Sequence, residues 1–141
     1  MKTAVDTSLL LDVLQGDPVF GEASKRALRQ AYDSGALVAC DVVWSELRAN
    51  FASKEAFAEA IGTLQLRFDP MLPESAASAG HLWRESRRRA LAKDKAPRER
   101  VVADFLIGAH ARHQADAFLT RDSGFYRQCF RGLRVVDAMH E

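Results

Sequence analysis

Short apolar runs alternate along the chain with longer segments whose apolar residues recur every three or four positions. The short runs predict strands at residues 3–5, 36–40, 66–72, 117–120 and 133–138. The longer segments predict helices from about Ser8 onward and at residues 20–32, 42–51, 55–66, 74–93, 104–113 and 124–130. Because strands that alternate with helices are typical of parallel sheets, the pattern predicts an α/β fold: a doubly wound parallel sheet of about five strands with helices on both faces.

The composition is that of an ordinary globular protein, with 48% apolar and 28% charged residues in a chain of 141. Residues 1–141 are therefore interpreted as a single domain. No apolar run approaches the roughly 20 residues that cross a membrane, and the N-terminus lacks the pattern of a signal peptide. Cys40 and Cys129 form neither a disulfide framework nor a metal-ligand pair. We therefore expect a cytoplasmic protein with reduced thiols.

Two aspartates directly follow predicted strands. Asp6 ends the first strand, and Asp122 comes just after the fourth, where Thr120 supplies a nearby hydroxyl. Either aspartate could simply cap the helix that follows it, as Asp41 is expected to cap the helix at 42–51. In open parallel sheets, however, ligands bind at the carboxyl ends of the strands, near the switch in strand order. Asp6 and Asp122 are therefore candidates for a functional site as well as for capping.

Two further acids lie on predicted helices. On a helical wheel Glu46 falls between Val42 and Val43, on the apolar side of its helix, and glutamates seldom occupy a buried face without a partner. The simpler alternative is a glutamate that reaches out from the edge of that face. Asp104 opens a helix that is apolar on almost every side, so its carboxylate is expected to point into the molecule or its cleft. Gly108, one turn later, is expected to leave room nearby.

Four carboxylates that converge would repel one another unless a divalent cation lay between them. Oxygen ligands alone select a hard ion such as Mg²⁺ or Mn²⁺, whereas zinc would favour histidine or cysteine. The pattern thus predicts that Asp6 is a metal ligand that also caps its helix. His110 and His113 lie three residues apart, but no cysteine or third histidine is near, so we interpret them as packed or solvated side chains.

Basic side chains are concentrated in one segment. Residues 83–100 carry 8 basic and 3 acidic side chains, whereas residues 1–82 carry 7 and 11. The basic residues on the predicted long helix are Arg84, Arg87, Arg88, Arg89 and Lys93. A solvated helix face and a patch that binds an anionic partner explain this segment about equally well.

Four segments, VDTSLLLD, VVWSEL, ADFLIGAHA and FLTRDSGFY, resemble the PIN-domain ribonucleases in their order and spacing, and among these the VapC-type toxins of bacterial toxin–antitoxin pairs. The resemblance covers nearly the whole chain. It implies a PIN-like parallel sheet, Mg²⁺- or Mn²⁺-dependent cleavage of RNA, a homodimer, and inhibition by a cognate antitoxin protein. The acidic quartet of the family corresponds to Asp6, Glu46, Asp104 and Asp122, and its hydroxyl residue corresponds to Thr120.

The resemblance also implies individual roles for these residues. Asp6, Asp104 and Asp122 would be the metal ligands, and Glu46 would bind through water or orient the nucleophile. The basic helix would hold the RNA backbone. Some relatives carry a further acid shortly after the fourth, but Ser123 and the residues that follow it are not acidic here, so a second tightly held metal is not implied.

Two other interpretations stay open. A non-catalytic PIN-like module could bind RNA without cleaving it, because retained acids do not by themselves establish turnover. A receiver domain could use Asp69 as its phosphoacceptor, but it would need an adjacent pair of acids after the first strand and a lysine after the last, and the chain has neither. Asp12 and Asp69 are both expected to lie outside the site and to tolerate replacement by asparagine.

Overall fold

Five short strands and seven helices make up the described part of the chain, which is residues 1–93 and 101–140 of a computed structural model. The strands are β1 (Lys2–Val5), β2 (Ala36–Ala39), β3 (Leu66–Phe68), β4 (Ala117–Thr120) and β5 (Val135–Asp137). The helices are α1 (Thr7–Leu14), α2 (Gly21–Ser34), α3 (Asp41–Arg48), α4 (Lys54–Leu64), α5 (Pro73–Ala92), α6 (Val102–Gln114) and α7 (Ser123–Cys129).

The strands form one sheet in the order β3-β2-β1-β4-β5, and every neighbouring pair is parallel. The chain builds outward from β1 through β2 to β3, and then returns to the other side of β1 to add β4 and β5. The switch in strand order therefore lies between β1 and β4. At this point Val5 pairs with Leu119, and the Asp6 N–H extends the pairing by donating to the Leu119 carbonyl over 3.0 Å.

The predicted doubly wound α/β fold is confirmed, and each predicted strand and helix is present within a few residues of its expected position. The boundaries differ where local geometry overrides the apolar pattern. Helix α4 ends at Leu64 because Gln65 adopts a left-handed backbone conformation with φ of 54°, and Leu66 then joins the sheet opposite Leu37. Residues 94–100, which separate the helices predicted at 74–93 and 104–113, lie outside the described residues.

Asp41 does not cap α3 as predicted. It is the first residue of the helix, and Cys40 occupies the cap position without a side-chain hydrogen bond. The Asp41 carboxylate instead accepts a hydrogen bond of 2.7 Å from the Met71 N–H. The tertiary contact replaces the local one because the chain that follows β3 brings this donor within reach.

Helix α6 lies in the interior, as its apolar composition predicted. Phe105, Ile107 and Ala109 are at most 3% exposed. Gly108 belongs to the same buried stretch, but the space beside it is filled: a Cβ atom at this position would come within 2.4 Å of the Phe130 ring. The prediction that Gly108 leaves space near Asp104 is therefore wrong, because an aromatic side chain from the end of α7 occupies that space.

A second glycine is required where the N-terminus meets the sheet. Gly35, between α2 and β2, has a φ of 154°, and a Cβ atom there would lie only 1.8 Å from the Met1 carbonyl oxygen. The same carbonyl accepts a hydrogen bond of 2.9 Å from the Ala36 N–H. Only a residue without a side chain permits this approach, which begins the pairing of β1 with β2.

Helix α5 is the longest helix, with 20 residues, and it begins with Pro73, whose missing N–H costs nothing in the first turn. Its second half is rich in arginine. Neither this helix nor any other within residues 1–93 and 101–140 is long and apolar enough to cross a membrane.

Candidate active site

Asp6 lies at the switch point, immediately after β1, and is only 8% exposed. It caps α1 as predicted, because its backbone is extended and its Oδ1 accepts a hydrogen bond of 2.8 Å from the Thr7 N–H. Its second oxygen, Oδ2, accepts a hydrogen bond of 2.8 Å from the Thr120 hydroxyl. Capping therefore uses one carboxylate oxygen, while the other ties β1 to β4 across the sheet.

Thr120 connects Asp6 to the fourth acid. Its side chain is completely buried, and while its hydroxyl donates to Asp6 it accepts a hydrogen bond of 3.0 Å from the Asp122 N–H. Asp122 occupies the cap position of α7, but its side chain makes no capping hydrogen bond. The structure thus brings Asp6, Thr120 and Asp122 together in one hydrogen-bonded chain, and the simple capping interpretation of Asp122 is wrong.

Glu46 reaches the same site from α3, although not from the buried face that the helical wheel predicted. Val43 and Leu47 form the buried stripe of this helix, whereas Glu46 is exposed. Its Oε1 nevertheless accepts a hydrogen bond of 2.7 Å from the Thr7 hydroxyl. The prediction of a buried glutamate is therefore wrong because the apolar stripe is narrower than the wheel suggested, and Glu46 lies at its rim, facing the start of α1.

Asp104 lies in the first turn of α6, two residues after the helix begins at Val102, and is half-buried. The N-terminal end of a helix carries partial positive charge, which favours an acid there. Its negative charge acts on Asp6, since it is one of the causes that raise the pKa of that carboxyl. Asp104 is therefore close enough to belong to the same electrostatic cluster.

The pKa of Asp6 is raised from 3.8 to about 6. Burial is the largest cause. The hydrogen bonds from Thr120 and Thr7 oppose it, and the negative charges of Asp104 and Glu46 add to it. Burial and the two neighbouring negative charges therefore outweigh the hydrogen bonds that Asp6 accepts, and a cation beside Asp6 would favour its ionised form.

The donor set fits a hard divalent cation in its chemistry, because all four acids offer oxygen and the histidines lie elsewhere. Within residues 1–93 and 101–140, however, no group of three or more His, Cys, Asp or Glu side chains stands in the arrangement of an assembled metal centre. Both oxygens of Asp6 and one oxygen of Glu46 bind protein donors instead. The four acids thus match a hard divalent cation in ligand type.

Thr7 is a site residue that the sequence interpretation missed. Its backbone N–H donates to Asp6 and its hydroxyl donates to Glu46, so one residue contacts two of the acids. The sequence signal was a hydroxyl residue directly after a strand-end aspartate, which is equally typical of ordinary capping. Only the approach of α3 shows what the hydroxyl binds.

Arg121, between Thr120 and Asp122, forms a second unpredicted contact. Its guanidinium binds the Asp12 carboxylate, with Nε at 2.7 Å from Oδ2 and Nη2 at 3.4 Å from Oδ1. Asp12 is 5% exposed and also accepts a hydrogen bond from the buried Ser24 hydroxyl. Arg121 thereby fastens the turn that carries the site to helix α1. Asp12 is therefore a buried structural residue, and the expectation that it tolerates replacement needs correction.

Asp69 also lies outside the site, where it contacts His110 and Lys2. Its Oδ2 lies 2.8 Å from His110 Nε2 and 3.1 Å from Lys2 Nζ. Burial lowers the pKa of His110 despite the neighbouring carboxylate, so this contact joins a neutral ring to an ionised acid at neutral pH. His110 is thus a packed histidine, as predicted, while His113 is exposed.

The basic residues predicted to bind RNA lie on the second half of α5 or, for Lys93, directly after it. Arg84, Arg87, Arg88, Arg89 and Lys93 are all exposed. Arg88 forms an ion pair of 2.9 Å with Glu85, and the Arg87 guanidinium lies 5.2 Å from the centre of the Trp83 ring. These contacts are local to the helix.

The fold and the site together define a class of protein: a doubly wound parallel sheet with acids gathered where β1 and β4 end. The family model of the PIN domain matches residues 3–131, and the chain therefore belongs to the PIN domain family. This membership confirms the resemblance found in the sequence and excludes the receiver interpretation. No curated protein sequence matches the chain.

Solved structures of VapBC complexes share the fold. The chain is similar to a DNA-bound VapBC from Salmonella typhimurium, with a TM-score of 0.66, 16% identity and 98% of each chain covered. It is also similar to VapBC2 from Rickettsia felis bound to a promoter DNA fragment (TM-score 0.64, 17% identity, 97% of this chain and 98% of that one). VapBC-1 from nontypeable Haemophilus influenzae gives a TM-score of 0.63 at 17% identity, with 99% of each chain covered. At these identities the likeness establishes the fold.

The raised pKa of Asp6 predicts that Asp6→Asn stabilises the metal-free protein. The folded state holds the Asp6 proton more tightly than the unfolded chain, so the contribution of Asp6 to stability is lost as the pH rises from 3.8 to about 6. Removing the charge should raise the free energy of unfolding at pH 7 by about 1 to 2 kcal/mol, less than the full shift because the amide fits the Thr120 hydroxyl less well.

Urea denaturation in EDTA at pH 4 and pH 7 measures this effect. The gain should shrink toward zero at pH 4. Asp33→Asn, on the exposed side of α2, is the control and should change stability little at either pH. An Asp6→Asn protein that is less stable than wild type at pH 7 would contradict the argument.

The contact between Asp12 and Arg121 predicts a loss of stability of about 2 kcal/mol for Asp12→Asn, because the partly buried Arg121 guanidinium loses its charged partner. Arg121→Gln should cost a similar amount. The double variant should lose clearly less than the two single losses combined, since both remove the same contact. Additive losses, measured by urea denaturation with Asp33→Asn as the reference, would show that the pair is not coupled.

Proposed function

We propose that this protein is a Mg²⁺- or Mn²⁺-dependent endoribonuclease, the toxin of a type II toxin–antitoxin pair. The observation that carries the proposal is the buried Asp6 carboxylate at the switch point, with a pKa raised to about 6 by burial and by the charges of Asp104 and Glu46. A chain that only needed a helix cap here would not gather further acids around it. In a nuclease of the PIN family, a group of acids at this position would bind the metal.

The acids of the site would have two different roles according to their positions. Asp6, Asp104 and Asp122 would hold the cation, and Glu46, which is exposed, would act on the attacking water. When bound, the cation would activate that water and stabilise charge on the scissile phosphate. Thr120 would keep Asp6 in place, because its buried hydroxyl binds the carboxylate. The expected products carry a 5′-phosphate and a 3′-hydroxyl.

The position of helix α5 beside α6 supports a role of its basic side chains in RNA binding. The Ser75 hydroxyl binds the Gln114 side chain over 2.7 Å, so the start of α5 lies at the end of α6. With 1.5 Å per residue, Arg84 lies about 14 Å along α5, near the level that Asp104 reaches about 15 Å back along α6. Basic side chains at this level, and about one helical turn beyond it, would offset the repulsion between the acids and the RNA backbone.

We propose two protein partners. The similar solved structures are VapBC structures, which supports a cognate antitoxin. The acidic site fits an arginine from such a partner, because a guanidinium can bind carboxylates in a bidentate manner. A second copy of the chain, forming a homodimer, follows from the family resemblance. A cytoplasmic location agrees with both.

The proposal predicts that Asp6→Asn, Asp104→Asn and Asp122→Asn each reduce RNA cleavage by at least about a hundredfold while the fold is retained. Cleavage of a labelled RNA by wild type should require Mg²⁺ or Mn²⁺ and stop in EDTA, and Mn²⁺ should raise the melting temperature of wild type more than that of Asp104→Asn.

Asp33→Asn, with the same chemical change on an exposed helix, is the matched control and should cleave like wild type. Full cleavage in EDTA, or wild-type cleavage by Asp6→Asn, would sink the metal mechanism. RNA binding with no cleavage in any divalent metal would favour the non-catalytic module.

The proposed RNA contacts of α5 predict that loss of its arginines changes the salt dependence of RNA binding. Replacing Arg84, Arg88 and Arg89 by Gln should weaken RNA binding and reduce the slope of log affinity against log salt concentration by about two units, because three phosphate contacts are lost. The same triple change at Lys25, Arg26 and Arg29, exposed on α2, is the matched control. An unchanged slope in the α5 variant would show that its arginines only solvate the helix or hold a protein partner.

A further inference from the structure

Thr7 joins two acids that come from different parts of the chain. It is the first residue of α1 and is 9% exposed. Its N–H donates to Asp6 over 2.8 Å, and its hydroxyl donates to Glu46 over 2.7 Å, across 39 residues of sequence. The two donors of one residue therefore fix the distance between the inner acid, Asp6, and the outer acid on α3.

Glu46 has physical reasons to leave this position. It is exposed and has three rotatable side-chain bonds, and fixing them costs conformational entropy. The negative charge of Asp6, which binds the N–H of the same Thr7, also repels it. A short hydrogen bond from a hydroxyl to a carboxylate is among the stronger neutral-to-charged contacts. The Thr7 hydroxyl is thus the contact that holds Glu46 toward the site rather than toward solvent.

We propose that Thr7 is a positioning residue, whose hydroxyl holds the Glu46 carboxylate toward the site, where it would orient the attacking water. This inference rests on the proposed nuclease function for its effect on turnover. Its structural content, the control of the Glu46 rotamer by Thr7, stands separately. A merely structural Thr7 would serve α1 through its N–H and its β-branched shape, and its hydroxyl would be dispensable.

Two substitutions separate these roles. Thr7→Val keeps the N–H and the β-branched shape but removes the hydroxyl, whereas Thr7→Ser keeps the hydroxyl. With Mn²⁺ and a labelled RNA, Thr7→Val should lower kcat about tenfold and leave KM within about twofold of wild type, because orientation is lost but RNA contacts remain. Thr7→Ser should restore most of kcat. Ser45→Ala, beside Glu46 on the exposed side of α3, is the control for loss of a hydroxyl.

The coupling to Glu46 is tested in a second background. In Glu46→Gln protein, Thr7→Val should lower kcat by less than about twofold, because the group that Thr7 positions has already been changed. An undiminished tenfold loss in that background would overturn the proposal. So would a Thr7→Ser protein as impaired as Thr7→Val.

A readout that needs neither metal nor turnover distinguishes failure of this inference from failure of the nuclease proposal. In the metal-free protein, NMR scalar couplings across the Glu46 Cα–Cβ bond should report one rotamer in wild type and Thr7→Ser, and averaging in Thr7→Val. Unchanged couplings in Thr7→Val overturn the positioning role. If the couplings change as expected but no protein cleaves RNA, the Thr7 contact is upheld and the nuclease proposal is the one that fails.

Discussion

The hydrogen bond from the Thr120 hydroxyl to the Asp6 carboxylate joins the two strands between which the sheet reverses its order. Two further residues of the site bind this pair. Asp122 follows Thr120 by two residues and binds the same hydroxyl through its N–H, while Thr7 follows Asp6 and binds its other oxygen. A parallel sheet with its switch point at β1 and β4 must bring the ends of these strands side by side, so the site follows from the topology.

The same arrangement brings negatively charged side chains close together, which is electrostatically unfavourable. A nearly buried Asp6 beside two further acids binds its proton more tightly than an exposed aspartate does, and the metal-free fold carries that cost at neutral pH. Asp12 lies on the helix that Asp6 caps and is about as buried as Asp6. Its negative charge, however, is neutralised by Arg121. The contrast separates an acid whose charge is neutralised within the fold from an acid whose pKa is raised by burial and by neighbouring negative charges.

Much of this could be predicted from the sequence, because the signals are local. Alternation of apolar runs and helical periodicity determined the α/β class, and the position of Asp6 and Asp122 after strands placed them at one edge of the sheet. Asp104 was found in the same way, since an acid that opens a wholly apolar helix has to face the interior or a cleft. These inferences need only the direction of each element and the side on which it is buried.

Contacts between elements could not be predicted, because they depend on how helices approach one another. The helical wheel placed Glu46 on a buried face, whereas the packing of α3 leaves it exposed and bound to Thr7. The space expected at Gly108 is filled by Phe130, which is 22 residues away. The sequence by itself thus determined which strands and acids this protein has. Only the tertiary structure decided which donor each acid binds, because a hydrogen bond depends on distances of a few tenths of an ångström that no periodicity encodes.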